Sequence, residues 1–246
     1  MKYFTVSFDD GIEQDKRLIA LMKKYGIKGT FNINGGLLGK KGTVRRIGDF
    51  AFKDCGMDVE SGRIIKYTNQ FRIPEDEIAQ VYEGMEVASH GYLHQMLGRL
   101  SQDEMKKEIE YNLQKLEQLV GYPIVGHAYA KGSTSVKVQN YLKEKEVLYA
   151  RGALANSKFD RYANPLNLAP TCYHITKENK INQLIDQFIE IPAEEEAIFF
   201  LWGHAYELDY QSKEASWEKI ERIFDRIAGR SDIFYCTNKE IFTSYK

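Results

Sequence analysis

The sequence predicts an α/β fold in which seven parallel strands close into an incomplete or distorted barrel, although an open doubly wound sheet shares the same local pattern. Two observations predict it. Short β-branched or aromatic runs alternate with segments of helical period, as in chains of βα units. Polar residues gather at the ends of those runs, where the loops of parallel folds place their chemistry. The 246 residues, 43% of them hydrophobic, suit one large domain with a substantial core.

The elements follow in order. "YFTVSF" leads into a helical pattern through Leu18, Leu21, Met22 and Tyr25, which Gly26 closes as a left-handed cap before the second run, "GTFNIN". The third run is "MEVASH". After it, Ser101 and Glu104 have capping-box spacing, Met105, Ile109, Leu113, Leu116 and Val120 form one helical face, and Gly121 ends it. That helix feeds the fourth run, "PIVGHAYA", and a polar helical stretch through Tyr141 and Leu142 feeds the fifth, "EVLYARG". "INQLIDQFIEI" precedes the sixth, "AIFFLWGHA", and a helix carrying Trp217, Ile220, Ile223, Phe224 and Ile227 precedes the seventh, "DIFYCT". Residues 35–74, with a hairpin-like "RIIKYTNQFRI", and the polar residues 152–179 break the alternation and read as insertions into a single domain spanning 1–246.

Composition excludes several functions. A formal net charge of −1 offers no basic surface for nucleic acid or an anionic membrane. Cys55, Cys172 and Cys236 are odd in number and far apart, which suits buried reduced thiols rather than disulfides or a paired-cysteine zinc site. No apolar run is long enough to span a membrane, and the first polar cluster comes too early for a signal peptide. The chain as written therefore reads as cytoplasmic, or as secreted if a leader precedes it.

The run ends carry Asp9 and Asp10, Asn32 and Asn34, His90 with His94 just beyond, His127 and Tyr129, Arg151, His204, and Thr237. Four of the five histidines lie at or just past such ends. The spacing in "HGYLH" lets two imidazoles aim at one point, and two histidines with one carboxylate make a common catalytic zinc set. Asp9 and Asp10 would repel each other when ionised, and a divalent cation relieves that cost. One aspartate then binds the cation and the other acts on water.

"SFDDG", "SHGYLH" within "EVASHGYLH", and the late "FLWGHAYE" resemble the first, second and fifth motifs of the polysaccharide deacetylase family, carbohydrate esterases that include the nodulation chitooligosaccharide deacetylases. The resemblance runs from Thr5 to the terminal "FYCTNKEIFTSY" and favours that family's distorted (β/α)7 barrel. It implies that Asp9 is the general base, that Asp10, His90 and His94 hold a divalent metal, and that His204 is the general acid. Zinc is the expected ion, with cobalt, nickel or manganese also accepted by such ligands. The implied activity is hydrolytic removal of acetyl groups from N-acetylated sugars, oligosaccharides or polysaccharides. O-acetyl esters or other small amides are a second substrate class, and a pseudoenzyme or carbohydrate-binding module that keeps the metal site is a third reading.

The chain departs from the family in places. Its third motif normally reads Arg-x-Pro-Tyr-Gly, whereas here "AYAKG" puts Ala128 at the arginine and Lys131 at the tyrosine. The Lys131 backbone N–H can still serve an oxyanion, and Arg151 is the candidate to replace the arginine beside Asp9. Tyr129 and Trp202 complete the expected substrate-facing set, Trp202 by offering a stacking face to a sugar ring. No fourth motif is recognisable, so Glu207 or Asp209 is expected to orient His204, and Gly91 replaces a hydroxyl residue. His127 reads as bonded to a backbone carbonyl, His174 as a sheet-surface residue, and the charge run "AEEEA" at 193–197 as a solvated loop.

Overall fold

The computed structural model describes residues 1–47, 55–57, 64–160, 162–210 and 212–244. The chain runs β1 (Lys2–Asp9), α1 (Gln14–Lys24), β2 (Thr30–Ile33), β3 (Thr43–Ile47), β4 (Cys55–Met57), β5 (Ile64–Asn69), α2 (Ile78–Val81), β6 (Glu86–Ser89), α3 (Gln102–Val120) and β7 (Gly126–Ala128). It continues through α4 (Val136–Glu144), β8 (Tyr149–Arg151), β9 (Cys172–Tyr173), α5 (Glu178–Glu190), β10 (Ala197–Gly203), α6 (Trp217–Ile227), β11 (Ile233–Cys236) and α7 (Asn238–Thr243). The helices start and stop where local chemistry directs. Ser101 and Glu104 form the reciprocal capping box of α3, and Gly121 ends it at φ 75°.

The strands of the main sheet pair in the order β8-β7-β6-β2-β1-β10-β9, with β11 also paired to β1. β1 is the hub. Lys2 to Phe8 pair in parallel with Ala197 to Gly203 on one edge, while the other edge takes β11 at Lys2 to Thr5 and β2 at Ser7 to Asp9. β1 and β10 are consequently buried along their whole length, as continuous apolar runs such as "AIFFLWG" require. All seven runs read from the sequence are strands here, and the fold is the distorted (β/α)7 barrel expected.

Residues 152–179 differ from expectation. They carry β9, and they bridge the two ends of the strand path: Ala150 N donates to Pro165 O (2.8 Å), Leu168 N to Ala150 O (2.8 Å), and Thr171 N to Phe200 O (2.9 Å). The stretch shows no strand periodicity because most of it closes the barrel irregularly, with a two-residue strand at its end. Within residues 35–74, β3, β5 and β4 form a separate antiparallel sheet, while 48–54 and 58–63 lie outside the described residues. Cys172 and Cys236 are buried free thiols, and the side chain of Cys55 lies outside the described residues. Among the described residues no helix is long and apolar enough to cross a membrane.

Asp15, in the first turn of α1, is fully buried beneath the β1–α1 turn. Its Oδ2 accepts from Tyr82 Oη (2.7 Å) and Ile12 N (3.1 Å). Burial above all, with some help from Asp10, pushes its pKa from 3.8 to about 8. The folded chain thus keeps a proton that the unfolded chain releases, so stability declines as pH rises between those values. Asp15→Asn preserves an acceptor for both donors and cannot ionise. Urea melts at pH 5 and pH 8 should show the wild-type decline shrinking by at least ~1 kcal/mol in the variant.

Candidate active site

The C-terminal ends of β1, β6, β7, β8 and β10 open on a cavity of about 310 Å³, whose wall includes Asp9, Asp10, His90, His94, Tyr129, Lys131, Trp202 and His204. Arg151 lies behind it, buried against Asp9. Every candidate residue read from the sequence is therefore in or next to one site. Gln70 and Arg72, from the segment after β5, line it as well.

Asp9 Oδ1 accepts from Asn32 Nδ2 (2.8 Å) and pairs with Arg151 Nη2. Its Oδ2 faces the cavity, 3.8 Å from His90 Nε2 and 4.0 Å from His204 Nε2. Burial alone would raise the Asp9 pKa, but Arg151, then His90 and His204, hold it below the usual value and keep the carboxylate ionised. Asp10 is likewise held well below the usual value despite burial, chiefly by Arg72. Its backbone sits at φ 90°, a conformation that disfavours side chains.

Asp10 and the two histidines present a cation site. The ligand atoms of Asp10, His90 and His94 lie within 4.8 Å of one another. His90 Nδ1 is 2.8 Å from the Ala128 carbonyl, which sets the tautomer with the proton on Nδ1 and leaves an Nε2 lone pair for the cavity. Asp10 Oδ1 lies 3.9 Å from His94 Nε2, is buried, and receives no hydrogen bond among the described residues. An orphaned buried carboxylate oxygen beside two imidazoles with free lone pairs fits a divalent cation.

His94 reaches this place through a strained loop. It has φ 60°, and the loop is held by Glu108 on α3, whose Oε1 accepts from Leu93 N (2.7 Å) and Gln95 N (3.0 Å). Gly91, at φ 78°, is favoured on two grounds, its left-handed backbone and the 3.0 Å at which a Cβ there would meet Glu108 Oε1. Asn112, one turn along α3, donates to Ile33 O and Ser89 Oγ, each at 2.8 Å. Glu108 and Asn112 escape a reading for motifs, yet both interrupt the apolar stripe of Met105, Ile109, Leu113 and Leu116. Buried polar residues on such a stripe are the signal that finds them.

His204 is oriented by Glu207 rather than Asp209. Its Nδ1 is 3.2 Å from Glu207 Oε2 and 3.1 Å from Tyr173 Oη, while Asp209 accepts instead from Gln14 and Trp217. Burial works against protonation of His204, but the hydrogen bond and charge of Glu207, then Asp10 and Asp9, outweigh it and bring the pKa up to about 8. His174 is not on the sheet surface. It is buried, with Nε2 2.8 Å from the same Glu207 oxygen, in space that Gly203 leaves open, since a Cβ there would come 2.0 Å from the imidazole. His127 is also buried, and its Nδ1 meets Ser89 Oγ (3.1 Å) rather than a backbone carbonyl.

The substrate-facing set divides. Lys131 is exposed at the cavity edge at φ 55°. The Tyr129 ring lines the wall, but its hydroxyl donates to Leu166 O (2.7 Å). Trp202 stacks on Tyr173 with centroids 4.3 Å apart, and the Arg151 guanidinium lies over its ring at 4.8 Å. The indole expected to meet a sugar is thus packed by protein groups, Tyr173 from adjacent β9 and the buried Arg151.

Aspartates and histidines thus converge at the strand ends of a curled parallel barrel, an architecture known from other chains. A sequence profile of the polysaccharide deacetylases matches residues 1–150, and the chain belongs to the polysaccharide deacetylase family. No curated protein sequence matches it. Among solved structures, one from Mycobacterium smegmatis assigned to the polysaccharide deacetylases is similar at 14% identity and TM-score 0.64, covering 98% of this chain and 88% of that one. A family 4 acetyl xylan esterase from Clostridium thermocellum with a cobalt ion is similar at 16% identity and TM-score 0.57, covering 98% and 91%. A family 4 carbohydrate esterase from Streptomyces lividans with acetate is similar at 15% identity and TM-score 0.54, covering 94% and 90%. At these identities the likeness is one of fold.

Arg151 is among the largest fully buried side chains of the described residues, and its charge answers Asp9 across the barrel. Arg151→Met strands the Asp9 carboxylate. The variant should lose about 3–5 kcal/mol of stability in urea at pH 7, with partial recovery in the Arg151→Met/Asp9→Asn double variant.

Proposed function

We propose that this protein is a metal-dependent hydrolase that removes acetyl groups from N-acetylated sugars or oligosaccharides, with Asp10, His90 and His94 as the metal ligands. The observation that carries the reading is that the free oxygen of Asp9, the Nε2 atoms of His90 and His204, and the orphaned oxygen of Asp10 meet in one cavity. A divalent cation, zinc in first place, supplies Lewis acidity toward the acyl oxygen and the attacking water when bound.

The chain's own groups do the rest. Asp9, ionised through Arg151, takes the proton of the attacking water through Oδ2. The Lys131 backbone N–H, turned by its left-handed conformation, donates to the acyl oxygen as negative charge develops there. His204, protonated at neutral pH, gives its Nε2 proton to the leaving nitrogen as the C–N bond breaks, which releases acetate and the free amine. Glu207 keeps that imidazole oriented and favours its protonated form. Arg151 contributes through Asp9 and does not touch the reacting atoms.

Purified protein should contain close to one divalent cation per chain and deacetylate N-acetyl chitooligosaccharides. Asp9→Asn and His204→Ala should each lower kcat by about 10²–10⁴ while leaving bound metal in place. A metal-free protein, or full turnover in Asp9→Asn, overturns the proposal. Turnover of O-acetylated xylooligosaccharides alone moves it to the ester class, and sugar binding without His204-dependent turnover makes the protein a binding module.

A further inference from the structure

We infer that the segment following β5, in the insertion between β2 and β6, is part of the cation site, with Arg72 and Gln70 as positioning residues for Asp10. The inference rests on the metal-site reading above and goes beyond it, since neither residue is a ligand or faces the reacting atoms as base or acid. The segment following β5 docks directly on the loop that carries Asp10: Glu13 N donates to Phe71 O (2.9 Å), Ile73 N to Gly11 O (3.0 Å), and Ile12 pairs with Arg72 in an antiparallel bridge.

Arg72 is not used as an ordinary ion-pair partner. A guanidinium commonly grips a carboxylate through two parallel N–H bonds to both oxygens. Here Nη1 donates to the Asp10 backbone carbonyl and to Asn34 Oδ1 (3.3 Å). Both of its hydrogens are thereby taken, so Asp10 Oδ1, although 3.0 Å away, gets charge without a hydrogen bond. Gln70 Nε2 meanwhile satisfies the other oxygen, Oδ2, at 3.0 Å. One carboxylate oxygen is occupied and the other is left turned toward His94.

The same contacts set the backbone. The bond from Arg72 to the Asp10 carbonyl supports a peptide held at φ 90°, and Asn34, the second acceptor, donates through Nδ2 to the carbonyls of His90 (2.7 Å) and Gly91 (2.9 Å). Arg72 therefore joins the Asp10 turn to the His90 strand end through a single intermediary. Lysine could keep the charge, but its ammonium ends a flexible four-carbon stem rather than a rigid planar group, so it would not hold one nitrogen fixed against both carbonyl oxygens and beside the carboxylate.

The test is cobalt(II) and zinc(II) affinity of the full chain, measured by chelator competition and independent of turnover. Arg72→Lys and Arg72→Gln should each weaken binding about 10–100-fold, and excess cobalt should restore turnover of Arg72→Lys to near wild type, which loss of a catalytic contact would not allow. Gln70→Leu, which leaves the ion pair intact, should weaken binding in the same direction and covers the case in which the arginine variants fail to fold. Asp10→Asn marks the affinity of a site without its carboxylate. Wild-type affinity in all three positioning variants, or tighter binding in the arginine variants, overturns this inference while leaving the metal site standing. A wild type that binds no better than Asp10→Asn overturns the metal-site reading and this inference with it.

Discussion

Asp9 and Asp10 are consecutive, nearly inaccessible to water, and placed where β1 ends, so the fold must supply two positive partners within a few ångströms or leave a buried charge costing several kcal/mol. It supplies them from opposite directions. Arg151 comes from β8, which stands four places from β1 in the strand order, so the Asp9 pair spans the interior of the barrel rather than joining neighbours. Arg72 comes from the insert outside it. A flat sheet could not bring β8 to β1, and the curvature of the barrel and the ionisation of Asp9 are thus one constraint seen from two sides.

A second charge arrangement governs His204. The single oxygen Oε2 of Glu207 meets Tyr173 Oη, His174 Nε2 and His204 Nδ1. A carboxylate with that many donors is held well below its usual pKa against the effect of burial, and its fixed negative charge raises His204 while burial keeps His174 mostly neutral. Two imidazoles on one carboxylate acquire different properties because one is sealed under β10 and the other opens on the cavity beside Asp9 and Asp10. In the proposed reaction this asymmetry is what makes His204 the acid.

How much of this is legible in the sequence depends on the distance over which each signal acts. Asp9 with Asp10, and His90 with His94, are close-spaced pairs at the ends of recognisable strands, and His204 ends another, so their convergence follows once the strands are counted. Arg151 is legible for the same reason. Arg72, Gln70 and Tyr173 are not, because they sit in the two stretches that break the alternation and reach the site only through tertiary docking. The closure of the barrel by residues 165–171 is invisible for a related reason: its hydrogen bonds are made by irregular backbone, which imposes no period on its side chains. The packing of Tyr173 and Arg151 on Trp202 also needs tertiary neighbours of β10, which no local pattern reveals.

Among the described residues, five other than glycine adopt positive φ, and three of them are Asp10, His94 and Lys131. Each such conformation costs roughly 1–3 kcal/mol and persists only where surroundings over-determine it. The supports are visible for two of them: Arg72 and Gln70 at Asp10, and Glu108, accepting two backbone N–H groups, at the His94 loop. Hydrogen bonds involving a charged group contribute about 1.5–3 kcal/mol each, enough for two to offset one strained residue. Site geometry and support are therefore separable in the chain. Asp10 and His94 occupy strained turns past the strand ends, while the groups that hold these two there come from the insert and from α3, outside the main sheet. A substitution in α3 or the insert can on this account alter the site without changing a proposed ligand, base or acid, and without removing any strand of the barrel.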